Sequence, residues 1–272
     1  MMMSSSRQTS LPDLSSWVDA RQSQGIYFFT RKEALNVLGR SPAAFKQAAA
    51  RLVKKKRIAR IHRGFFIIIP LEYAAIGILP PEWFIADLMH YIDRPFYVGL
   101  LSAAALHGAA HQQPQQFQVV TTLPLRKLRA GGLAIRFFSK SKFAGVPLTS
   151  IKVQTGHIPV SAPEATAFDL IRYSRRIGGL DRALTVLQEL SEKMEPAKLV
   201  QAAKVEKNLA CAQRLGFLLE KAGFKDLSRM LFQWVQRQKP LPVKLEPSLP
   251  SRGSGKDERW RLLVNLDIEG DL

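Results

Sequence analysis

The 272-residue sequence predicts an α+β protein in two parts: a small basic N-terminal domain and a larger C-terminal domain with a small sheet and a helical subdomain. Three observations carry this. Capped helical patterns and a basic hairpin pattern fill the first 75 residues. Strand-like runs and then helical runs follow Pro80-Pro81. The excess of 40 Lys+Arg over 22 Asp+Glu, a net +18, is laid down in blocks.

The elements follow in order. Residues 1–13 read as a disordered tail. Leu14, Trp17 and Val18, at i, i+3, i+4, predict a short helix ending before Gly25. Thr30-Arg31-Lys32-Glu33 has the form of a capping box, with the Thr hydroxyl and Glu carboxylate each satisfying the other residue's amide. The helix it opens carries Ala34, Leu35, Val37 and Leu38 and stops at Gly39. Ser41 then caps a further helix with Pro42 in its first position, where a missing N–H costs nothing. Phe45, Ala48, Ala49, Leu52 and Val53 form its apolar stripe. Lys55 to Ile61 alternates basic and apolar residues, His62-Arg63-Gly64 makes a tight turn, and Phe65 to Ile69 returns as a strand. Helix, helix and basic hairpin, over residues 14–75, is the order of a winged helix-turn-helix.

The charge distribution sharpens that expectation. Residues 1–70 hold 13 Lys+Arg against 3 Asp+Glu, a net +10; residues 71–93 hold four acids and no base. Residues 94–163 then hold eight bases and no acid. A solvated surface explains scattered charge, whereas blocks of this kind suit a polyanion such as double-stranded DNA. Lys46, Gln47 and Arg51 share the polar face of the Ser41-capped helix and are candidates for reading base edges. Ser41 and the amides behind it suit a phosphate. Lys54, Lys55, Lys56, Arg57, Arg60, His62 and Arg63 are candidates for phosphate contacts that hold register. A second hairpin bearing Arg126, Lys127 and Arg129 beside Gly131-Gly132 is a further possible DNA contact.

The remainder, 76–238, reads as the α+β domain. Trp83, Phe84, Asp87 and Leu88 fall in a helix, and Tyr97 to Ala110 reads as a tightly packed helix rich in small residues. Phe117 to Thr122, Leu133 to Phe138 and Leu148 to Ile158 have strand composition. Ser161-Ala162-Pro163-Glu164 has the form of a second capping box, and helical patterns cover about 180–192, 196–204, 208–222 and 226–237. The Pro/Gly/Ser-rich stretch 239–258 reads as a loop without regular structure, and 259–272 as a final strand, centred on Trp260 to Leu266, that rejoins the sheet.

Several function classes find little support. The longest apolar run, Phe65 to Ile69, stops at Pro70, far short of the ~20 residues of a membrane span. The polar start lacks the apolar core of a secretory signal, so the expected location is the cytoplasm. A single cysteine, Cys211, excludes an internal disulfide and reads as a buried small hydrophobe. His107 and His111 at i, i+4 imitate a zinc pair but have no nearby cysteine or acid, and no metal or cofactor is expected. Gly253-Ser254 with Asp267-Ile268-Glu269 imitates a nucleotidyltransferase pattern, yet the Gly-Ser pair sits in the Pro-rich loop and the chain ends three residues on. Asp169 reads as the partner of a base and Glu164 as a helix cap. The expectation is therefore a regulator and not an enzyme; the alternatives are a DNA-processing enzyme targeted by the winged helix and a protein–protein adaptor.

Five segments in order resemble a known family: Arg57 to Phe66, Tyr97 to Gly108, Ser161 to Leu170, Arg214 to Glu220, and Trp260 to Asn265. They are similar to the AbiEi-type antitoxins of abortive-infection toxin–antitoxin systems. The resemblance implies a winged-helix DNA-binding domain joined to an antitoxin domain, repression of the protein's own operon at inverted repeats, and action against a nucleotidyltransferase-like toxin without need of a stable complex. Ala109-Ala110, where a larger apolar residue is expected, and the 239–258 insertion depart from the family's pattern.

Overall fold

The computed structural model describes residues 13–109, 114–141 and 143–268. The tail expected over 1–13 lies outside them except for Asp13, which is a helix cap: its carboxylate accepts the Ser16 N–H at 2.8 Å. The described residues form two compact units. The first contains residues up to Arg94 together with 127–135 and 152–157, and the second contains the rest.

The N-terminal unit begins with α1 (Leu14–Ser23), β1 (Phe28–Thr30), α2 (Arg31–Leu38), α3 (Pro42–Lys54), β2 (Ile58–His62), β3 (Phe65–Ile68) and, after two 3₁₀ turns, α4 (Ile85–Tyr91). The strands form a sheet in the order β1-β3-β2, giving a winged helix-turn-helix. Both arms of the Thr30/Glu33 capping box are made, Gly39 ends α2 in the left-handed region (φ 57°), and Ser41 Oγ caps α3. Strand β1 was not legible as a separate element because its three residues run straight into the Thr30 cap. One face of α1, α2 and α3 (Leu14, Trp17, Ala34, Leu38, Phe45, Leu52) closes on Phe29, Ile58 and Phe66 of the sheet. Val37 and Val53, expected in the stripes, are 46% and 43% exposed. Val53 follows buried Leu52 and is turned about 100° from it, off the core face.

A bulge interrupts the basic strand β2. Arg60 pairs with Phe66 and His62 with Phe65, which leaves Ile61 as the extra residue. Ile58 and Ile61 are both buried, Ile58 in the core closed by the three helices.

In the second part of the chain, β4 (Phe96–Val98) is followed by α5 (Leu100–Leu106), β5 (Phe117–Thr121), β6 (Leu128–Ala130), β7 (Leu133–Ser139), β8 (Leu148–Val153) and β9 (Gly156–Ser161). These six strands make one sheet, ordered β6-β7-β5-β4-β9-β8. Then come α6 (Pro163–Arg172), α7 (Ser174–Ile177), α8 (Gly179–Leu190), α9 (Pro196–Glu206), α10 (Leu209–Lys221), α11 (Lys225–Arg237), β10 (Val243–Lys244), β11 (Gly255–Asp257) and β12 (Leu262–Val264). The α+β class and the helical subdomain agree with expectation; four local readings do not. Tyr97 and Val98 are strand, and the helix starts at Leu100. The run from Leu148 is two strands turning at Gln154-Thr155, because Gly156 takes φ 131°. The second capping box is absent: Ser161 Oγ lies 2.6 Å from Thr166 Oγ1, and Glu164 instead accepts the Glu195 N–H at 2.9 Å. The stretch 239–258 contains β10 and β11, and β12 pairs with both in a small sheet of its own, without joining the six-stranded one.

Two devices hold the C-terminal unit together. Lys140, just after β7, is 4% exposed, and its ammonium lies 2.8 Å from both Asp169 of α6 and Glu206 of α9. Burial works to discharge it, but the two carboxylates outweigh that and hold its pKa above the ordinary lysine range. Asp169 also accepts the Tyr97 hydroxyl at 2.8 Å, and Glu206 also takes Arg172. The second device is Trp260, fully buried, whose ring lies so close to α10 that a Cβ at Gly216 would fall 2.0 Å from it. Its Nε1–H donates to Glu220 at 2.6 Å.

Gly216→Ala is therefore expected to destabilise the protein by about 1–3 kcal/mol through overpacking. The same change in a Trp260→Leu background should cost less, and denaturant unfolding of the four proteins in that cycle measures the coupling. Equal cost in both backgrounds would show that the indole does not set the requirement for glycine.

Candidate nucleic-acid interface

Helix α3 separates its faces cleanly. Phe45, Ala49 and Leu52 are buried, while Lys46, Gln47, Ala50, Arg51 and Lys54 are exposed. Ala43 and Ala50 are exposed small residues on the solvent side, where they leave room for a close approach of the backbone to a partner. Ser41 is exposed, and its Oγ accepts the Ala44 N–H at 3.2 Å, which leaves its O–H to donate to a phosphate at this end. Lys55 is exposed at the end of the helix, and Lys56 follows in the left-handed conformation (φ 52°). The Lys56 ammonium turns back to the Ala75 carbonyl at 3.4 Å. Arg57 is half-buried and ion-paired with Asp19 of α1. These two cations have internal partners, unlike the outward-facing residues of α3.

In the wing, Arg60 and Arg63 are exposed and His62 is half-buried, with its ring beside Tyr91 of α4. The turn is braced from below. Tyr91 Oη donates to the Arg63 carbonyl at 3.1 Å, and Arg31 N–H donates to the Gly64 carbonyl at 2.8 Å. Gly64 adopts φ 79°, and a Cβ there would lie 2.6 Å from Tyr91 Oη. The brace came from a helix beyond the hairpin, so nothing local in the sequence announced Tyr91.

Arg126, Lys127 and Arg129 are all exposed at the start of the hairpin β6–β7. Its residues 127–135 belong to the N-terminal unit, where β6 lies beside β2 of the wing. Gly131 at its turn takes φ 53°, and a Cβ there would come 2.9 Å from the Gly77 carbonyl oxygen. Lys127 and Arg129 thus adjoin the wing's own basic strand. Arg31 and Lys32 at the start of α2 and Arg40 between α2 and α3 are exposed as well.

Other constellations have structural partners. His107 Nε2 lies 2.7 Å from the Ser161 carbonyl oxygen, while His111 lies outside the described residues, as does Glu269 of the Asp-Ile-Glu pattern. Cys211 is buried, and its thiol is pushed up to about 12 by burial. Among the described residues there is no group of three or more His, Cys, Asp or Glu placed to hold a metal ion, and no helix long and apolar enough to cross a membrane.

Two families match the chain: the AbiEi antitoxin C-terminal domain over residues 97–221, and the transcriptional regulator, AbiEi antitoxin, over residues 18–69. No curated protein matches it. Among solved structures the chain is similar to the crystal structure of the RV2827C protein from Mycobacterium tuberculosis. That similarity has 15% identity and a TM-score of 0.66, and covers 91% of this chain and 89% of that one. At this identity it speaks for the fold.

Gly64→Ala should destabilise the N-terminal unit by about 1–2 kcal/mol, since an L side chain is strained in the left-handed region. Thermal unfolding measures it. An unchanged midpoint would mean that the wing turn relaxes freely and is not held by Tyr91.

Proposed function

The chain belongs to the AbiEi antitoxin family of transcriptional regulators, and from that premise we propose that it is a sequence-specific autorepressor of a toxin–antitoxin operon, acting in the cytoplasm. The observation that carries the DNA half is the outward face of α3, with Lys46, Gln47 and Arg51 exposed together on a winged helix whose first 70 residues hold a net +10. Lys and Arg can donate to guanine and Gln can pair with adenine, so these three would read base edges in the major groove. Lys54, Lys55, Arg60 and Arg63 would hold phosphates and fix register without reading sequence. Lys127 and Arg129, with Arg126 ahead of them, would extend the contact past the wing. The operator is expected to be an inverted repeat in the protein's own promoter. The antitoxin half would oppose a nucleotidyltransferase-like toxin without requiring a stable complex, and no chemistry by this chain is needed for either role.

The first test is a gel-shift titration of the own-promoter duplex against a scrambled duplex at ~150 mM salt, where charge alone supplies only weak, non-specific binding. Preference for the promoter by about a thousandfold is expected. Equal affinity for the two duplexes would sink the repressor reading. Replacing Lys46, Gln47 and Arg51 by Ala should reduce that preference, whereas Ala at Arg60 and Arg63 should weaken both duplexes alike and flatten the salt dependence by about two phosphates' worth. Identical behaviour of the two sets would mean that α3 is not the reading helix.

Charge reversal of Arg126, Lys127 and Arg129 to Glu should weaken promoter binding and also lower the salt slope. If neither changes, this hairpin lies off the DNA.

A further inference from the structure

Within the C-terminal unit, Arg172, Arg175 and Arg214 line one cavity of about 170 Å³ beside the start of α10, and no carboxylate among the described residues lines it. Its polar wall is completed by Ser174 and Asn208, and Ile171, Cys211 and Leu245 contribute apolar surface. A second cavity of about 340 Å³ shares Arg172 and Asn208 and adds Lys140, Lys207 and Glu206. Among the described residues Glu206 is the single acid in either lining, and it is already committed: one oxygen takes the Arg172 guanidinium and the other lies 2.8 Å from Lys140. Glu246, the acid whose charge reaches Arg214, has Oε1 occupied by the Ser248 N–H at 3.0 Å and the Ser248 hydroxyl at 2.5 Å.

We infer that the smaller cavity is a binding site for a phosphate group, presented by inorganic phosphate or by a small phosphate ester. Guanidinium groups donate in forks that match the oxygens of a tetrahedral dianion, and charge-assisted bonds of this kind are about twice as strong as neutral ones. Arg214 is held in place by donation from Nε to the Lys244 carbonyl at 2.9 Å. Burial lowers its pKa, which means that the site already bears the cost of a partly desolvated cation that an anion would offset. Asn208 caps α10 by accepting the Cys211 N–H at 3.0 Å, so the positive end of a 13-residue helix adjoins the same wall.

Size decides between candidate ligands. At about 170 Å³ the smaller cavity lies below the usual size of a small-molecule pocket and suits the phosphate group of a ligand alone. The larger neighbour is in the range of small-molecule pockets, ~300–1,000 Å³, and would take the remainder of an ester. The site is distinct from the outward face of α3, and its ligand does not depend on how DNA is read.

Isothermal titration of the full chain with inorganic phosphate and with adenosine monophosphate, against sodium chloride at equal ionic strength, tests this. Saturable binding of at least one of them is expected. Tighter binding of the nucleotide identifies an ester ligand, and equal binding identifies the free anion. Arg175→Glu, at an exposed position, and Arg214→Met should each weaken binding by at least about tenfold, with Arg60→Ala leaving it unchanged. Because Arg214→Met could impair folding, Arg175→Glu alone is decisive. No saturable heat from either compound up to ~10 mM, or equal affinity in wild type and Arg175→Glu, would overturn the assignment.

Discussion

The C-terminal unit depends on one desolvated charge. An ammonium with Lys140's burial is tolerable only if its attraction to fixed anions recovers what hydration supplied, and such pairs commonly do little better than break even. Asp169 and Glu206 meet that requirement from two helices, α6 and α9, at 2.8 Å each. Their remaining acceptor capacity is filled by the Tyr97 hydroxyl and by Arg172. The end of β7, strand β4 and the two helices are thereby tied into one network, in which removing Lys140 would leave Asp169 a buried charge without its cation. Arg172, which Glu206 shares with Lys140, also lines the cavity of Arg175 and Arg214, where no acid among the described residues stands.

The N-terminal unit treats charge in the opposite way. Few of its cations serve the fold: Arg57 pairs with Asp19, Lys56 reaches the Ala75 carbonyl, and Arg21 lies over Trp17 while donating to the Phe28 carbonyl. Most of the others are exposed on α2, α3 and the wing. Unpaired like charges repel and reduce stability at low salt, so their accumulation in 70 residues is not explained by folding. On α3 they share the outward face with exposed alanines, which is the face that the proposed DNA contact uses.

What was legible in the sequence was whatever is enforced locally. Thr30 with Glu33, Gly39, Ser41 and Pro42 fix helix ends by chemistry within four residues, and each was readable before the fold was known. Ser161 and Glu164 carried the same signature, but each found a better partner elsewhere, Thr166 in one case and the Glu195 amide in the other. Tyr91 under the wing, Asp19 against Arg57 and Glu206 against Lys140 were invisible because the pairs are 28, 38 and 66 residues apart in sequence. Exposure of α3's basic face followed from periodicity; the capture of Lys56 and Arg57 by internal partners did not.

The chain's path qualifies any division into a DNA-binding piece and an antitoxin piece. It passes between the two compact units five times, because 127–135 and 152–157 group with the first 94 residues while their strands β7, β8 and β9 continue into the second unit. Both excursions are anchored within the N-terminal unit. Gly131 packs over the Gly77 carbonyl and Ile78, at a separation that admits no side chain, and Thr155 Oγ1 donates to the Trp83 carbonyl at 2.8 Å. The apolar runs around Ile78 and Trp83 are therefore covered partly by residues far along the sequence. A fragment ending near residue 75 or residue 94 would keep the helix-turn-helix and its wing but lose those anchors, along with Lys127 and Arg129. The winged helix is continuous in sequence, whereas the positive surface and the packing that support it are not.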